Sequence, residues 1–77
     1  RVTMDLELKD PKLVEAIQQR LPQIKDGILT ILPTKSVDEI NSAAGKLALR
    51  EELTGVLNGF LSKDAVTNIY FTEFVIQ

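Results

Sequence analysis

The opening of this chain limits its fold more than any other stretch. Apolar Val2, Met4, Leu6 and Leu8 alternate without a fault with polar Thr3, Asp5, Glu7 and Lys9. Successive side chains on an extended strand point to opposite faces, so the pattern predicts a strand with one face on a core and the other in water. Such a strand cannot bury its apolar row alone; the rest of the 77 residues must cover it. A chain of this length has room for one core and hides roughly 60% of its unfolded surface. One domain over residues 1–77 is therefore expected.

The cover is helical. Asp10-Pro11 reads as a helix start, since an aspartate accepts from free first-turn amides and proline is tolerated at the first helical position. Leu13, Ile17, Leu21, Ile24, Ile28 and Ile31 then recur at steps of three and four, one continuous stripe. Pro22 interrupts it and predicts a kink or break near Gln19 to Leu21. Leu32-Pro33-Thr34-Lys35 closes the segment. Ser36 and Glu39 have capping-box spacing and predict a short helix to about Asn41. Ser42 or Gly45 opens a last helix with Leu49, Leu53, Val56/Leu57 and Phe60 inward. Asn58-Gly59 predicts fraying there or an end near Leu61. Ser62-Lys63-Asp64 is a turn, and β-branched and aromatic residues predict a strand from Val66 to Ile76.

The expected fold is mixed α/β, a small sheet packed by helices in the order β-α-α-α-β. Strict alternation along the last strand puts Ile69, Phe71 and Val75 on one face and Tyr70, Phe74 and Ile76 on the other. Both rows are apolar, so both faces are expected under cover, one beneath the helices and one beneath an upstream segment or a neighbouring chain. Glu73 falls in the row of Phe71 and Val75, where an acid must reach the rim, pair with a cation or face a partner.

There is no histidine and no cysteine. That removes imidazole and thiol nucleophiles, and the imidazole and thiolate metal ligands with them. A net charge of −2 offers no basic patch for nucleic acid. Lys35-Ser36 and Lys63-Ser62 sit at turns, where these residues serve local bonding. Asp38/Glu39 and Glu51/Glu52 are adjacent on helices and point apart, which suits a solvated face better than a shared proton. No enzyme, cofactor or metal site is expected. Two features stand out. Lys46 and Arg50 are one helical turn apart, ahead of Glu51 and Glu52. This is either an exposed face or a setting in which Arg50 forks onto a carboxylate elsewhere. The run Tyr70-Phe71-Thr72-Glu73-Phe74 sets aromatics beside one acid, as interface hot spots do. The candidate protein-interaction residues are Arg50, Tyr70, Phe71, Glu73 and Phe74.

These segments carry a family resemblance. Ile69-Tyr70-Phe71-Thr72-Glu73-Phe74-Val75-Ile76-Gln77 closely resembles the ending "VYFTEFVVQ" of the flagellar basal body-associated FliL family. Ala44-Gly45-Lys46 followed by Leu49-Arg50-Glu51-Glu52-Leu53 resembles its "EGK…LREEI" helix. Arg1 to Glu7 resembles its "RYLRVTVELE" strand, clipped at the front, and Asn58 matches its asparagine before the final turn. Ala44 stands where the family often has an acid, and Pro33 where serine is common, which predicts a shortened second helix. The resemblance implies a stomatin-like (SPFH-like) domain lacking an N-terminal strand. It implies a periplasmic domain on the inner membrane at the flagellar basal body, anchored by a transmembrane helix upstream. It implies a homo-oligomeric ring around the stator of the motor that supports torque and swarming, with no cofactor and no catalysis. A general stomatin-like membrane scaffold unconnected with motility is the alternative.

Overall fold

The computed structural model describes the backbone of residues 2–74 and the side chains of residues 3–73. Strand β1 (Val2–Leu8) forms where the alternation places it, and strand β2 (Val66–Phe74) pairs with it antiparallel in a two-stranded sheet. All the helices lie between the two strands in sequence: α1 (Leu13–Gln19), α2 (Leu21–Ile31), α3 (Val37–Asn41) and α4 (Ala43–Phe60), with a three-ten turn over Leu32–Thr34.

The expected three helices are four, because the first apolar stripe breaks outright. Arg20 adopts φ −108° and ψ 14°, and α2 restarts at Leu21. Pro22 then occupies the first turn of a new helix, where a missing N–H loses no bond. The stripe keeps its inward face across the break, with Ile24 buried and Ile17 and Ile28 packed beside it. The start is also later than Asp10-Pro11 suggests. The Asp10 carboxylate accepts from the Lys12 amide at 2.9 Å, holding a turn, and α1 begins at Leu13. Pro33 falls just past α2, which ends at Ile31 and tightens into the three-ten turn.

Two serines cap the next helices. Ser36 Oγ accepts from the Glu39 amide at 3.2 Å, and Ser42 Oγ accepts from the Gly45 amide at 2.8 Å. Between them α3 runs so close to α4 that the Glu39 carbonyl lies against the bare Cα of Gly45; a Cβ there would overlap it. Only glycine allows that approach.

The core forms between α2, α4 and the inner face of the sheet. Leu49, Leu53 and Leu57 project from α4 at the spacing the sequence predicts and meet Val66 and Ile69 of β2, with Ile24 closing the other side. The turn from α4 into β2 is held at two points. Asp64 sits in the left-handed region at φ 61°, which an aspartate tolerates better than most residues. Asn58, in the last turn of α4, accepts from the Val66 amide at 2.8 Å and donates to the Val66 carbonyl at 3.4 Å, satisfying both backbone groups of one strand residue.

The strand register corrects the expected faces. Leu8 pairs with Val66 and Glu7 with Asn68, leaving Thr67 extra; Met4 pairs with Phe71 and Thr3 with Glu73, leaving Thr72 extra. These are β-bulges, two residues of β2 against one of β1. Each extra threonine turns its hydroxyl onto the partner strand, Thr67 Oγ1 to the Glu7 carbonyl at 3.1 Å and Thr72 Oγ1 to the Thr3 carbonyl at 3.2 Å. Beyond the second bulge the side-chain parity flips. Glu73 therefore leaves the row of Phe71 and lies exposed opposite Thr3. The Phe74 backbone pairs with Val2, while its side chain, and Val75 and Ile76 altogether, lie outside the described residues.

Candidate interaction surface

The inner row of β1 and β2 is apolar and the outer row is not. Thr3, Asp5 and Glu7 of β1 face outward beside Tyr70 and Glu73 of β2, all of them exposed. The Glu7 carboxylate gathers two hydroxyls from across the strand: Thr67 Oγ1 lies 2.9 Å from Oε1, and the Tyr70 hydroxyl donates to Oε2 at 3.0 Å. Thr3 Oγ1 reaches Glu73 Oε1 at 3.4 Å. The expectation of two apolar faces is thus not met over the described part of β2. Tyr70, at 47% exposed, is held by its hydroxyl instead of being covered.

The candidate residues separate accordingly. Tyr70 and Glu73 stand on the wet outer face. Phe71 points inward and packs against the core, and the Arg50 guanidinium of α4 lies over its ring at 5.7 Å from the centroid. Arg50 is half-buried, and its Nε is buried without a hydrogen-bond partner. A planar cation seated on an aromatic face is held in orientation without being neutralised.

A third surface was missed in the sequence. Met4 and Leu6 of β1, Ile17 of α1, and Leu21, Ile28 and Leu29 of α2 line an apolar groove of about 650 Å³. Leu29 is 66% exposed on its lip. The groove runs beside an open strand edge. The carbonyls of Thr3 and Glu7 face β2, where they accept from the bulge threonines, and the Lys9 amide faces β2 as well, donating to Ala65 at 2.9 Å. Backbone groups alternate along a strand, so those of Met4 and Leu6 face away from β2, where among the described residues no strand pairs with them. Leu29 lies off the helical stripe, and that was the one signal available.

Several of the hydroxyl, amine and carboxylate groups considered for chemistry make local bonds. Lys35, Glu39 and Ser42 line a smaller hollow of about 320 Å³ between α3 and α4. Lys35 Nζ is bonded to Glu52 at 2.9 Å, which raises its pKa above the usual lysine value, chiefly through that hydrogen bond. Ser36 and Ser42 are helix caps, and the Ser62 carbonyl closes the turn to Ala65. Among the described residues no three acidic side chains converge as metal ligands would, and no helix is long and apolar enough to cross a membrane.

The family model for flagellar basal body-associated protein FliL matches residues 1–77. The chain belongs to the FliL family. It is 36% identical over 77 residues to the flagellar protein FliL of Aquifex aeolicus (strain VF5), covering all of this chain and 48% of that protein. It is 30% identical over 77 residues to the flagellar protein FliL of Bacillus subtilis (strain 168), covering all of this chain and 55% of that protein. The chain thus spans about half the length of the FliL proteins it matches. FliL proteins are flagellar basal body-associated, a motility family and not one known for enzymes. The FliL match extends through the Gly45 contact, Arg50 and the Asn58 latch, so the features that position this surface all fall inside it.

Proposed function

We propose that this chain is the periplasmic part of a flagellar motor accessory protein that assembles with copies of itself around the stator, at the periplasmic face of the inner membrane, and supports the stator in torque generation and swarming. A membrane helix elsewhere in the protein anchors it. The observation that carries this reading is the match of the entire chain to a basal-body family. The surface supports it in kind. The groove under Leu29 and the open edge of β1 suit contact with further polypeptide, and Arg50 on Phe71 offers a fixed cation for an acidic partner. Four of the five candidate residues serve two contacts in this reading: Arg50 and Phe71 on the helix side of β2, and Tyr70 and Glu73 on its outer side; the Phe74 side chain lies outside the described residues.

Deleting the gene and measuring swarming on firm agar beside swimming in soft agar tests the role under load. Loss of swarming restored by the full-length gene is expected. Co-purification of the stator's periplasmic segment with the protein tests the partner. Undiminished swarming with no stator enrichment would refute the reading. A flagellar gene neighbourhood separates it from the general membrane scaffold, for which protease or transport neighbours are expected.

A further inference from the structure

The strand-bearing end of α4 carries an asparagine followed by a glycine, Asn58-Gly59. In a flexible chain this pair undergoes a spontaneous reaction. The Gly59 backbone nitrogen attacks Asn58 Cγ and gives up its proton, Nδ2 leaves as ammonia, and a five-membered succinimide forms. Water then opens the ring at either carbonyl, leaving aspartate or, with the main chain rerouted through the side chain, isoaspartate. Glycine at the second position favours the attack because it places no Cβ beside the nucleophile.

The fold holds both reactants apart from that geometry. Gly59 lies within α4, which runs to Phe60, so its nitrogen is committed to the helical ladder. The Asn58 carboxamide is bound at both ends by Val66, at 2.8 Å through Oδ1 and 3.4 Å through Nδ2. Yet the pair sits in the final turn of the helix, the part that opens most readily, and no other part of the fold packs within 4 Å of where a Gly59 side chain would sit. We propose that Asn58-Gly59 is a fold-gated deamidation site, closed while α4 is latched to β2 and reactive when the last turn of α4 opens. The reaction is also a one-way unlatching. An aspartate at 58 has no N–H for the Val66 carbonyl and sets a negative charge beside it. An isoaspartate inserts a carbon into the helical backbone. An aspartate keeps an acceptor for the Val66 amide and loosens the latch, while an isoaspartate displaces the side group altogether; both weaken the hold on the first residue of β2, which pairs with Leu8 and belongs to the buried core. The reagent is water alone, and the consequence is a domain that records its own excursions from the native state. This rests on the latch and not on the stator reading.

The test ages the whole chain at mildly alkaline pH and 37 °C, in native buffer and in urea, and follows residue 58 by peptide mass spectrometry with isoaspartate-specific labelling. Conversion in urea at least about tenfold faster than in native buffer is expected, since native conversion scales with the small open population. Gly59→Ala, whose added methyl meets no atom within 4 Å, keeps the fold and is expected to slow conversion in both conditions. The aged, purified product and Asn58→Asp are expected to melt below the parent. Equal rates in native buffer and urea would overturn the gate. Absence of conversion in urea, or a Gly59→Ala chain converting as fast as the parent, would overturn the site. Aged product melting with the parent would overturn the unlatching.

Discussion

Three glycines lie along α4, at 45, 55 and 59, and replacing each by alanine separates packing from helix propensity. Propensity alone predicts the same result three times. Alanine restricts the unfolded chain and should stabilise a helix interior by about 0.5–1 kcal/mol per site. For Gly55 and Gly59 nothing opposes this, because an added Cβ meets no atom within 4 Å. A domain of this size shifts its midpoint by roughly 4–8 °C per kcal/mol, so Gly55→Ala is expected to raise Tm by about 2–8 °C. Gly59→Ala should gain toward the lower end, since its turn frays.

Gly45→Ala should go the other way. Its methyl would overlap the Glu39 carbonyl and stand 2.8 Å from Ser42 Oγ, the cap of α4. The carbonyl belongs to the backbone of α3 and cannot rotate aside like a side-chain tip. Relief requires α3 to move from α4 or the cap to open. Overpacking costs about 1–3 kcal/mol and a lost serine cap about 1, against the half to one gained from propensity. The net is a loss of about 1–3 kcal/mol, a fall in Tm of roughly 5–20 °C. Circular dichroism melts of the three single variants beside the parent decide it. A Gly45→Ala chain as stable as the parent would show that the α3–α4 approach is soft, and the argument from close contact would fail.

The remaining predictions concern the core, the candidate anchor and pH. Leu53 is fully buried against β2, and Leu53→Ala is expected to cost about 2–5 kcal/mol in urea titration; Phe71→Ala, whose ring is only half-buried, should cost less than the roughly 3–5 kcal/mol of a fully enclosed phenylalanine. Arg50→Ala gives up a partly exposed cation–ring contact worth about 0.5–1 kcal/mol, so its melt should stay near the parent while swarming falls; Arg50→Lys should not restore it, because an ammonium lacks the planar fork. Lys35 has a raised pKa from its bond to Glu52, so the pair stabilises the fold below the ordinary lysine value of 10.5 and ceases to do so as the pH climbs through the higher folded value. The Tm gap between the parent and Lys35→Met should therefore narrow only at strongly alkaline pH, and a gap unchanged there would remove the ion pair as its cause.

The sequence disclosed what periodicity controls. The alternation through Leu8, the stripe through Ile24 and the row Leu49, Leu53, Leu57 each repeat at the period of their element, and each meets the core as expected. The break at Arg20 was legible too, because Pro22 lacks an amide wherever the chain goes. The β2 register was not. Thr67 and Thr72 resemble ordinary strand threonines, and nothing in composition marks a residue that will be skipped in pairing. Each skipped threonine bonds a carbonyl of β1 through its hydroxyl, and which carbonyl lies across from it is settled only when the strands meet. The candidate site suffered from the same cause: alternation put Glu73 in the row of Phe71, and the bulge at Thr72 moved it to the outer face beside Tyr70. The groove was hidden for another reason. Leu29 is apolar off the stripe, and whether such a residue is covered depends on which neighbours arrive, not on its own sequence position.

The second bulge also changes what kind of contact this domain can make. Under strict alternation the outer face of β2 would be apolar and would need another layer stacked on it. With Thr72 inserted, Glu73 moves out to join Thr3, Asp5, Glu7 and Tyr70, and the face becomes wet, hydroxyl-bonded and acidic. Stacking an apolar layer there would desolvate three carboxylates, at a cost that shape alone does not repay. The unmet demand shifts to the edge, where Met4 and Leu6 present backbone donors and acceptors beside the apolar groove. A polypeptide adding there gains ladder hydrogen bonds and buries alternate side chains against Leu29 and Ile28 in one step. Under the proposed self-assembly, substituting Leu29→Glu on the groove lip should thus weaken association while the melt of the isolated chain barely moves, since two-thirds of that side chain is already in water; sedimentation velocity reads the first and circular dichroism the second.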